Sequence, residues 1–184
     1  MRQSRAEKAK THERIVEVAS EQIRKQGLDG PAVAEIMQAA GLTHGGFYKH
    51  FGSRDDLVAE ATESALAASE RRVHELTDDA EDPLAAFADW YLSARHREDP
   101  GAGCAVPTLG DDVRRGEERL RAAYGRQVER YIEHFERFLG GGDDARRRAI
   151  LAVSALVGAV VVARAVDDNA LSDEILSAVR EGIG

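Results

Sequence analysis

The stretch from residue 43 to residue 54 groups side chains whose types and spacing suit contact with a polyanion. Thr43 follows the turn Gly41-Leu42, so its hydroxyl can cap a short helix. Such a helix would be slim enough to enter a groove about 12 Å wide, the width of the DNA major groove. The residues expected to face outward are His44, Gly45, Gly46, Tyr48, Lys49 and His50.

The same stretch contains apolar residues that can anchor this helix from the inside, namely Leu42, Phe47 and Phe51. Two adjacent glycines weaken a helix by about 1 kcal/mol each, a cost that makes sense where the backbone must approach another surface closely. Two short helices joined by such a turn match the helix-turn-helix. The alternative is an ordinary loop inside a helical bundle.

The charge distribution supports a polyanionic partner for one part of the chain only. The net charge is -8, yet residues 1 to 54 carry nine basic and six acidic side chains, whereas the rest carries 16 and 27. All four lysines lie in that first part. Because the local field steers a polyanion, a head of charge +3 can bind one despite the acidic body. The sequence leaves two interpretations open for Arg2, Arg5, Lys8 and Lys10. They form a cationic arm, or they belong to a flexible terminus.

Length and composition restrict the class of protein. A chain of 184 residues with 43% hydrophobic and 32% charged residues fits a soluble globular fold of one large domain or two small ones. The single cysteine, Cys104, excludes an internal disulfide framework. The first residues lack the pattern of a secretory leader, so we expect a cytoplasmic location.

Apolar residues recur at helical spacing along the chain, which predicts an all-α fold. The first helix is expected from about residue 6 to residue 26, ended by Gly27, and Pro31 is expected in the first turn of the second helix. Ser53 is expected to cap a long fourth helix. We place the domain boundary after residue 54, with domains at 1 to 54 and 55 to 184.

Further helices are predicted in the second domain. Asp82-Pro83 should begin one that runs to about residue 97, residues 104 to 115 form a short segment, and residues 117 to 139 form a long helix. Three glycines at 140 to 142 form a hinge, Asp143 or Asp144 caps the next helix, and Ser172 caps the last one.

Residues 149 to 163 are apolar except for Ser154, so a helix there must be covered all round. The stretch is shorter than the roughly 20 apolar residues of a bilayer span, and no membrane partner is expected. Small residues such as Gly158 and Ala159 permit close helix packing. Burial inside one chain and contact with a second copy both remain open.

In its amino-terminal part the sequence resembles the tetracycline-repressor (TetR) family. The resemblance rests on residues 15 to 27, on residues 36 to 51 with the sequence IMQAAGLTHGGFYKHF, and on residues 53 to 57 with the sequence SRDDL. It covers roughly the first third of the chain. It implies an amino-terminal three-helix DNA-binding domain and a larger carboxy-terminal helical bundle that binds small molecules and dimerises through its last two long helices.

The resemblance also implies individual roles. Thr43 would cap the recognition helix and contact phosphate, His44 and Gly46 would face base edges, and phosphate or bases would be held by Tyr48, Lys49 and His50. Arg54 would bind phosphate at the start of the fourth helix, where its charge adds to that of the helix terminus.

One position departs from the family pattern. The second helix often begins with a hydroxyl residue, whereas this chain has Pro31 and Ala32 there. One phosphate contact is therefore expected to be missing.

The second domain carries two aromatic stripes at helical spacing, one at residues 87 to 94 and one at residues 120 to 138. Most of these side chains are expected to be core. A pocket between helices is nevertheless where bundles bind ligands, and Trp and Tyr carry polar groups. The ligand candidates are Trp90, Tyr91 and Tyr124, with His96 and His134 as further polar groups.

Cys104 follows a glycine in a segment that resembles a TetR subgroup, some of whose members sense electrophiles or oxidants through the cysteine. At a helix start the thiolate would be favoured, with Arg97 as a further source of positive charge. The alternative is a buried, inert thiol. No lysine follows Lys49, so a cysteine-lysine lock of the kind known in some members has no counterpart here.

The sequence thus predicts a homodimeric, ligand-responsive repressor that binds a double-stranded DNA operator. No catalysis, cofactor or metal is expected, because the metal-binding and phosphate-binding sequence motifs are lacking. Three alternatives are a DNA-binding dimer without an effector, a redox or electrophile sensor acting through Cys104, and an enzyme with Cys104 as nucleophile. The effector, the operator and the direction of regulation are left open.

Overall fold

The computed structural model describes residues 4–183, and all regular elements in that range are helical. The predicted all-α fold is therefore confirmed. In chain order the elements are α1 (Arg5–Gln26), α2 (Val33–Ala39), a 3-10 helix (His44–Lys49), α3 (Arg54–Thr77), α4 (Pro83–Tyr91), α5 (Ala94–Glu98), α6 (Ala105–Arg115), α7 (Glu118–Phe138), α8 (Ala145–Ala165) and α9 (Asn169–Gly182).

The first two helix boundaries follow from local chemistry. Ser4 and Glu7 form a capping box at the start of α1, in which each side chain accepts from the other residue's backbone N–H. Arg5, Lys8 and Lys10, for which the sequence left a cationic arm and a flexible terminus open, therefore belong to α1, while Arg2 lies outside the described residues. Gly27 ends α1 with a φ of 82°, a conformation that favours glycine.

The head, which comprises α1, α2 and the 3-10 helix, packs with the start of α3 around one end of the continuous apolar core. Its fully buried members include Ile15, Ile23, Ile36, Met37, Phe47 and Leu57. The expected recognition helix is a 3-10 helix rather than an α-helix. Thr43 is its N-cap residue, but the expected capping by the Thr43 hydroxyl is wrong, because this side chain makes no capping hydrogen bond.

The second helix begins later than predicted. Ala32 is its N-cap and the first helical residue is Val33, so Pro31 precedes the helix instead of occupying its first turn. The Glu35 carboxylate accepts from the Ala32 N–H at 3.3 Å, which fixes this start. Pro31 is buried and lies in the loop.

Two serine positions also differ from expectation. The helix predicted from Asp82 to about residue 97 is broken at Ser93, whose hydroxyl donates to the Trp90 carbonyl and accepts from the His96 N–H. The last helix is capped by Asp168 and not by Ser172. Ser172 is buried within α9 and donates to the Ala163 carbonyl at 2.7 Å.

The long helix α3 connects the head to the rest of the chain. It begins at the Ser53 cap, where the hydroxyl accepts from the Asp56 N–H, as predicted. It packs most extensively against α1, and it also packs against α4, α6 and α7. The proposed boundary after residue 54 falls at the start of this helix, so α3 belongs structurally to both parts.

Helix α8 packs between α7 and α9 but is not covered on all sides. The exposed apolar side chains along the described part of the fold include Leu151 at 60% and Val162 at 47%. By length and composition α8 could cross a membrane, but a helix packed in this way between two others is typical of a soluble core. Arg164 near its end donates to the carbonyls of His96 and Arg97.

Candidate nucleic-acid interface and buried polar core

The 3-10 helix presents one polar face to solvent. Thr43, His44 and Lys49 are exposed, and Tyr48 has 73% of its surface accessible. On the opposite face Phe47 is buried, with its ring 5.5 Å from that of Phe51. The sequence pattern of outward donors and inward aromatic anchors is therefore present in the fold.

The two glycines of this helix are not required by the fold itself. A Cβ atom added at Gly45 would have no atom within 4 Å, and one added at Gly46 would meet only the Met37 methyl group at 3.5 Å, an ordinary contact. Neither glycine has a positive φ. Since glycine weakens helical structure, its presence here suits close approach by a second molecule.

His50 differs from its neighbours because its ring turns partly into the protein. The Nδ1 atom is buried without a hydrogen-bond partner, so a contact with DNA would have to come from the other ring nitrogen. Burial lowers the pKa of His50, with further lowering by the positive charges of His12, Lys8 and Lys49. These charges concentrate beside the exposed face of the 3-10 helix.

The Arg54 side chain makes hydrogen bonds within the chain. Its guanidinium donates to the Leu28 carbonyl at 2.6 Å and lies 3.5 Å from the Pro31 carbonyl. These bonds hold the loop between α1 and α2 against the start of α3. The predicted contact of Arg54 with phosphate stays a prediction.

Two contacts join the head to the segment around α6, and sequence reasoning missed both. The Asp112 carboxylate accepts from the Leu28 N–H at 2.9 Å, and the Arg24 Nε donates to the Gly101 carbonyl at 2.7 Å. A cleft of about 250 Å³ lies at the same junction. The paired residues are 77 to 84 positions apart, so no local pattern could have indicated them.

A buried polar group of three side chains lies inside the second domain. The Cys104 sulfur is 3.1 Å from the Tyr131 hydroxyl, and both residues are buried. Tyr91 is fully buried and its hydroxyl has no hydrogen-bond partner. Burial and the nearby Cys104 raise the pKa of both tyrosines well above the usual value.

His96 completes the surroundings of Cys104. Its Nδ1 lies 2.6 Å from the Tyr91 carbonyl, while its Nε2 accepts from the Cys104 N–H at 2.9 Å. The Nδ1 atom must therefore carry the proton, and the ring is neutral. Burial lowers the pKa of His96 to about 4, although the bond to Tyr91 opposes the change and Arg164 adds to it.

The other ligand candidates lie at the edge of this group. Trp90 stacks on His96 with ring centroids 4.7 Å apart and carries Arg72 over its own ring. The Tyr124 hydroxyl donates to the Val106 carbonyl at 2.9 Å, and burial raises the pKa of Tyr124 to about 12. The structure thus brings Tyr91 and Cys104 together, with the Trp90 ring next to those of Tyr91 and His96 and the Tyr124 hydroxyl bonded at Val106, two residues after Cys104.

Free space inside this core is small. The aromatic and aliphatic side chains here, which include Phe87, Tyr91, Tyr131 and Phe135, leave no space for a water-sized molecule between them. Cys104 is the N-cap of α6, as the sequence suggested, and is completely buried. Arg97 is directed elsewhere, since it pairs with Glu98 and Asp173, and so it is not the source of positive charge we expected beside the thiol.

The fold and the exposed face of the 3-10 helix define a helix-turn-helix protein with a helical second domain. Residues 15–61 match the family model described as bacterial regulatory proteins, tetR family. An uncharacterized HTH-type transcriptional regulator of Mycobacterium tuberculosis is 30% identical over 164 residues, with 83% of each chain covered. The chain therefore belongs to the TetR family of transcriptional regulators, whose members are not enzymes.

Solved structures with low sequence identity share the whole fold. A TetR transcriptional regulator from Chloroflexus aurantiacus has a TM-score of 0.82 at 23% identity, covering 97% of this chain and 94% of its own. The reduced form of E. coli NemR has a TM-score of 0.79 at 20% identity, covering 95% of both chains. The likeness thus extends well beyond the first third, where the sequence motifs lie.

The neutral, buried His96 predicts a loss of stability in acid. Because its folded pKa of about 4 lies below the unfolded value, the unfolded chain takes up the proton first as the pH falls. The free energy of unfolding should drop by about 3 kcal/mol between pH 7 and pH 4 through this group. Denaturant unfolding of the wild type and His96→Gln at several pH values measures it.

In His96→Gln the amide oxygen can still accept from the Cys104 N–H, so the variant tests titration more than packing. Its curve of unfolding free energy against pH should be flatter than that of the wild type. Parallel curves would show that His96 does not titrate as described.

Proposed function

We propose that this protein is a homodimeric repressor that binds an operator through the 3-10 helix and is released by a small molecule acting on the core around Tyr91 and Cys104. The observation that carries the DNA-binding part is the exposed polar face at residues 43 to 49, with glycines that the fold does not need. Its setting in a head of net positive charge supports the same partner.

Contacts with DNA divide into two kinds. Tyr48, Lys49 and His50 hold phosphates or bases, and Thr43 contacts phosphate from the start of the 3-10 helix. His44 and the backbone at Gly46 face base edges, where few side chains are long enough to read sequence. Part of the specificity therefore comes from the shape of the duplex.

Lys49→Ala should weaken binding to all DNA sequences, because a phosphate contact contributes affinity without reading bases. The slope of log affinity against log salt should become smaller by about one unit. The measurement is a salt titration on duplexes selected from a random pool. Arg95→Ala removes an exposed charge from the body and serves as the matched control.

The Arg95→Ala variant should keep the affinity and the salt slope of the wild type. Equal slopes for Lys49→Ala and the wild type would contradict the assignment of the 3-10 helix to DNA.

The second copy of the chain is proposed to cover α8 and α9. An apolar stripe on these helices is open to solvent and includes Ile150, Leu151, Val161, Val162 and Leu171. Ser154 and Gly158 lie on the same side of α8, and a Cβ at Gly158 would meet no atom within 4 Å. Small residues between apolar ones allow two helices to pack closely across a symmetric interface.

Leu151→Glu should convert the dimer into a monomer, because it places a charge on the apolar stripe at its most exposed α8 side chain. Affinity for DNA should fall as well, since a dimer contacts two half-sites about 34 to 36 Å apart. Sedimentation and DNA binding measure the two effects. As the control, Ala122→Glu adds the same charge at an exposed position of α7 and should leave the dimer intact. If the Leu151→Glu variant remains a dimer, this interface is ruled out.

Helix α6 offers a route from the effector to the DNA. Its N-cap is Cys104 in the polar core, and Asp112 near its other end accepts from the Leu28 N–H in the head. Gly101, just before Cys104, accepts from Arg24 of α1. A ligand that displaces the start of α6 would shift both contacts, and by reciprocity DNA would weaken the binding of that ligand.

Alkylation of Cys104 tests this route without knowledge of the effector. A small maleimide should react slowly because the thiol is fully buried. Once attached, its added volume should displace α6 and lower DNA affinity by about 5- to 150-fold, the usual range of coupling between sites. Cys104→Ser treated with the same reagent is the control, and circular dichroism checks that the alkylated protein stays folded.

The filled aromatic core favours a second candidate, a DNA-binding dimer without an effector. Folded, alkylated protein that binds DNA as tightly as before would support this candidate against coupling through α6. Rapid alkylation, together with release from DNA, would favour the direct sensing of electrophiles by Cys104.

A further inference from the structure

A cluster of two histidines and a carboxylate lies between α3 and α7, away from the 3-10 helix and from Cys104. Glu70 and His74 are one helical turn apart on α3, and His134 faces them from α7. One ligand atom of each lies within 4.8 Å of the other two, and the Nε2 atoms of both histidines face Glu70 Oε1. We propose that these three side chains bind one divalent transition-metal ion, with Zn²⁺ as the representative.

The spacing of the donor atoms suits a tetrahedral ion. Zn–N and Zn–O bonds of about 2.0 to 2.2 Å separate neighbouring ligand atoms by about 3.3 Å. His74 Nε2 lies 3.6 Å from Glu70 Oε1, and His134 Nε2 lies 2.8 Å from the same oxygen. Small side-chain rotations would bring all three around one ion, and water would take the fourth position.

The bonds behind His74 orient it as a ligand. Its Nδ1 lies 3.1 Å from the Asp78 carboxylate, which can only accept, so the Nδ1 carries a proton. Its Nε2 faces the Glu70 carboxylate at 3.6 Å, and this is the nitrogen that would bind the metal. A carboxylate behind a histidine is the usual support of a metal-binding imidazole.

Glu70 is also held in place and charged. The Gln127 amide donates to its second oxygen at 2.8 Å, which leaves Oε1 towards the two histidines. Burial would raise the pKa of Glu70, but the hydrogen bonds from His134 and Gln127 outweigh it and lower the pKa. The carboxylate therefore carries its negative charge at neutral pH.

Arg137 competes with metal binding at His134. Its guanidinium donates to His134 Nδ1 at 2.5 Å, so the proton of the neutral His134 ring lies on Nε2 and is donated to Glu70. Binding a metal at Nε2 requires this proton to move to Nδ1. The Nδ1–H group and the Arg137 guanidinium are both donors, so they cannot stay in contact. Arg137 is exposed and must turn away when the metal binds.

This competition gives the proposal a signature that a purely structural cluster would not have. Arg137→Gln removes a positive charge and offers an oxygen that can accept from Nδ1–H, so its affinity for Zn²⁺ should exceed that of the wild type. Asp78→Asn should lose about 10- to 100-fold, the usual effect of removing a support behind a ligand. His74→Ala removes a ligand from a half-exposed position and should lose more than Asp78→Asn.

The experiment titrates Zn²⁺ into the full chain against a chromophoric chelator. We expect one Zn²⁺ per chain, a rise in melting temperature on binding, and neither effect in His74→Ala. His44→Ala removes an exposed histidine from the head and controls for nonspecific binding. Cys104→Ser should bind as the wild type does, and bound Co²⁺ should show no thiolate charge-transfer band.

Several outcomes would overturn the proposal. They are the absence of stoichiometric binding, equal affinity in His74→Ala and the wild type, or a lower affinity in Arg137→Gln. Because Zn²⁺ binding is measured without DNA, failure here would leave the proposed repressor function untouched.

Discussion

The packing of the long helix α3 into one continuous apolar core, shared by the head and the second domain, is the constraint on which the rest of this structure depends. The buried side chains of α3 run from Leu57, beside the head, to Thr77 at its far end. Its first half packs against α1, and it also contacts α4, α6 and α7. Interiors packed at this density do not deform smoothly, so the proposed coupling between α6 and the head would act through the movement of whole helices.

The polar groups buried in the second domain divide into satisfied and unsatisfied ones. His96 uses both ring nitrogens, and Ser69 donates to the Ala65 carbonyl while accepting from the Ala105 N–H. The Tyr91 hydroxyl beside Cys104 has no partner, and an unpaired buried hydroxyl costs about 1 to 3 kcal/mol. A ligand that accepts or donates one hydrogen bond there would recover part of that cost, which gives Tyr91 a specific place in the proposed effector response.

Sequence reasoning predicted those features that local chemistry determines. The glycine at 27 and the serine cap at 53 act within a few residues of themselves, and their interpretation was correct. The inward direction of the aromatic anchors at 47 and 51 was also predicted correctly, whereas the stacking of Phe51 on His12 of α1 was not visible in the sequence. Ser172 was misread because any serine near a helix start resembles a cap, whereas its actual bonds depend on α8 and α5. The bonds of Asp112 and the cluster of Glu70 with His134 join residues more than 60 positions apart, so only the packing of helices reveals them.

The placement of the side-chain amines has a practical consequence. Lys8, Lys10 and Lys25 lie on α1 and Lys49 lies in the 3-10 helix, while residues 50 to 184 contain none. A fluorophore or cross-linker directed at lysine would label the head and leave the body without label on its side chains. Enzymatic acetylation would likewise remove positive charge only from the part of the molecule that carries the 3-10 helix, and leave the acidic body unchanged.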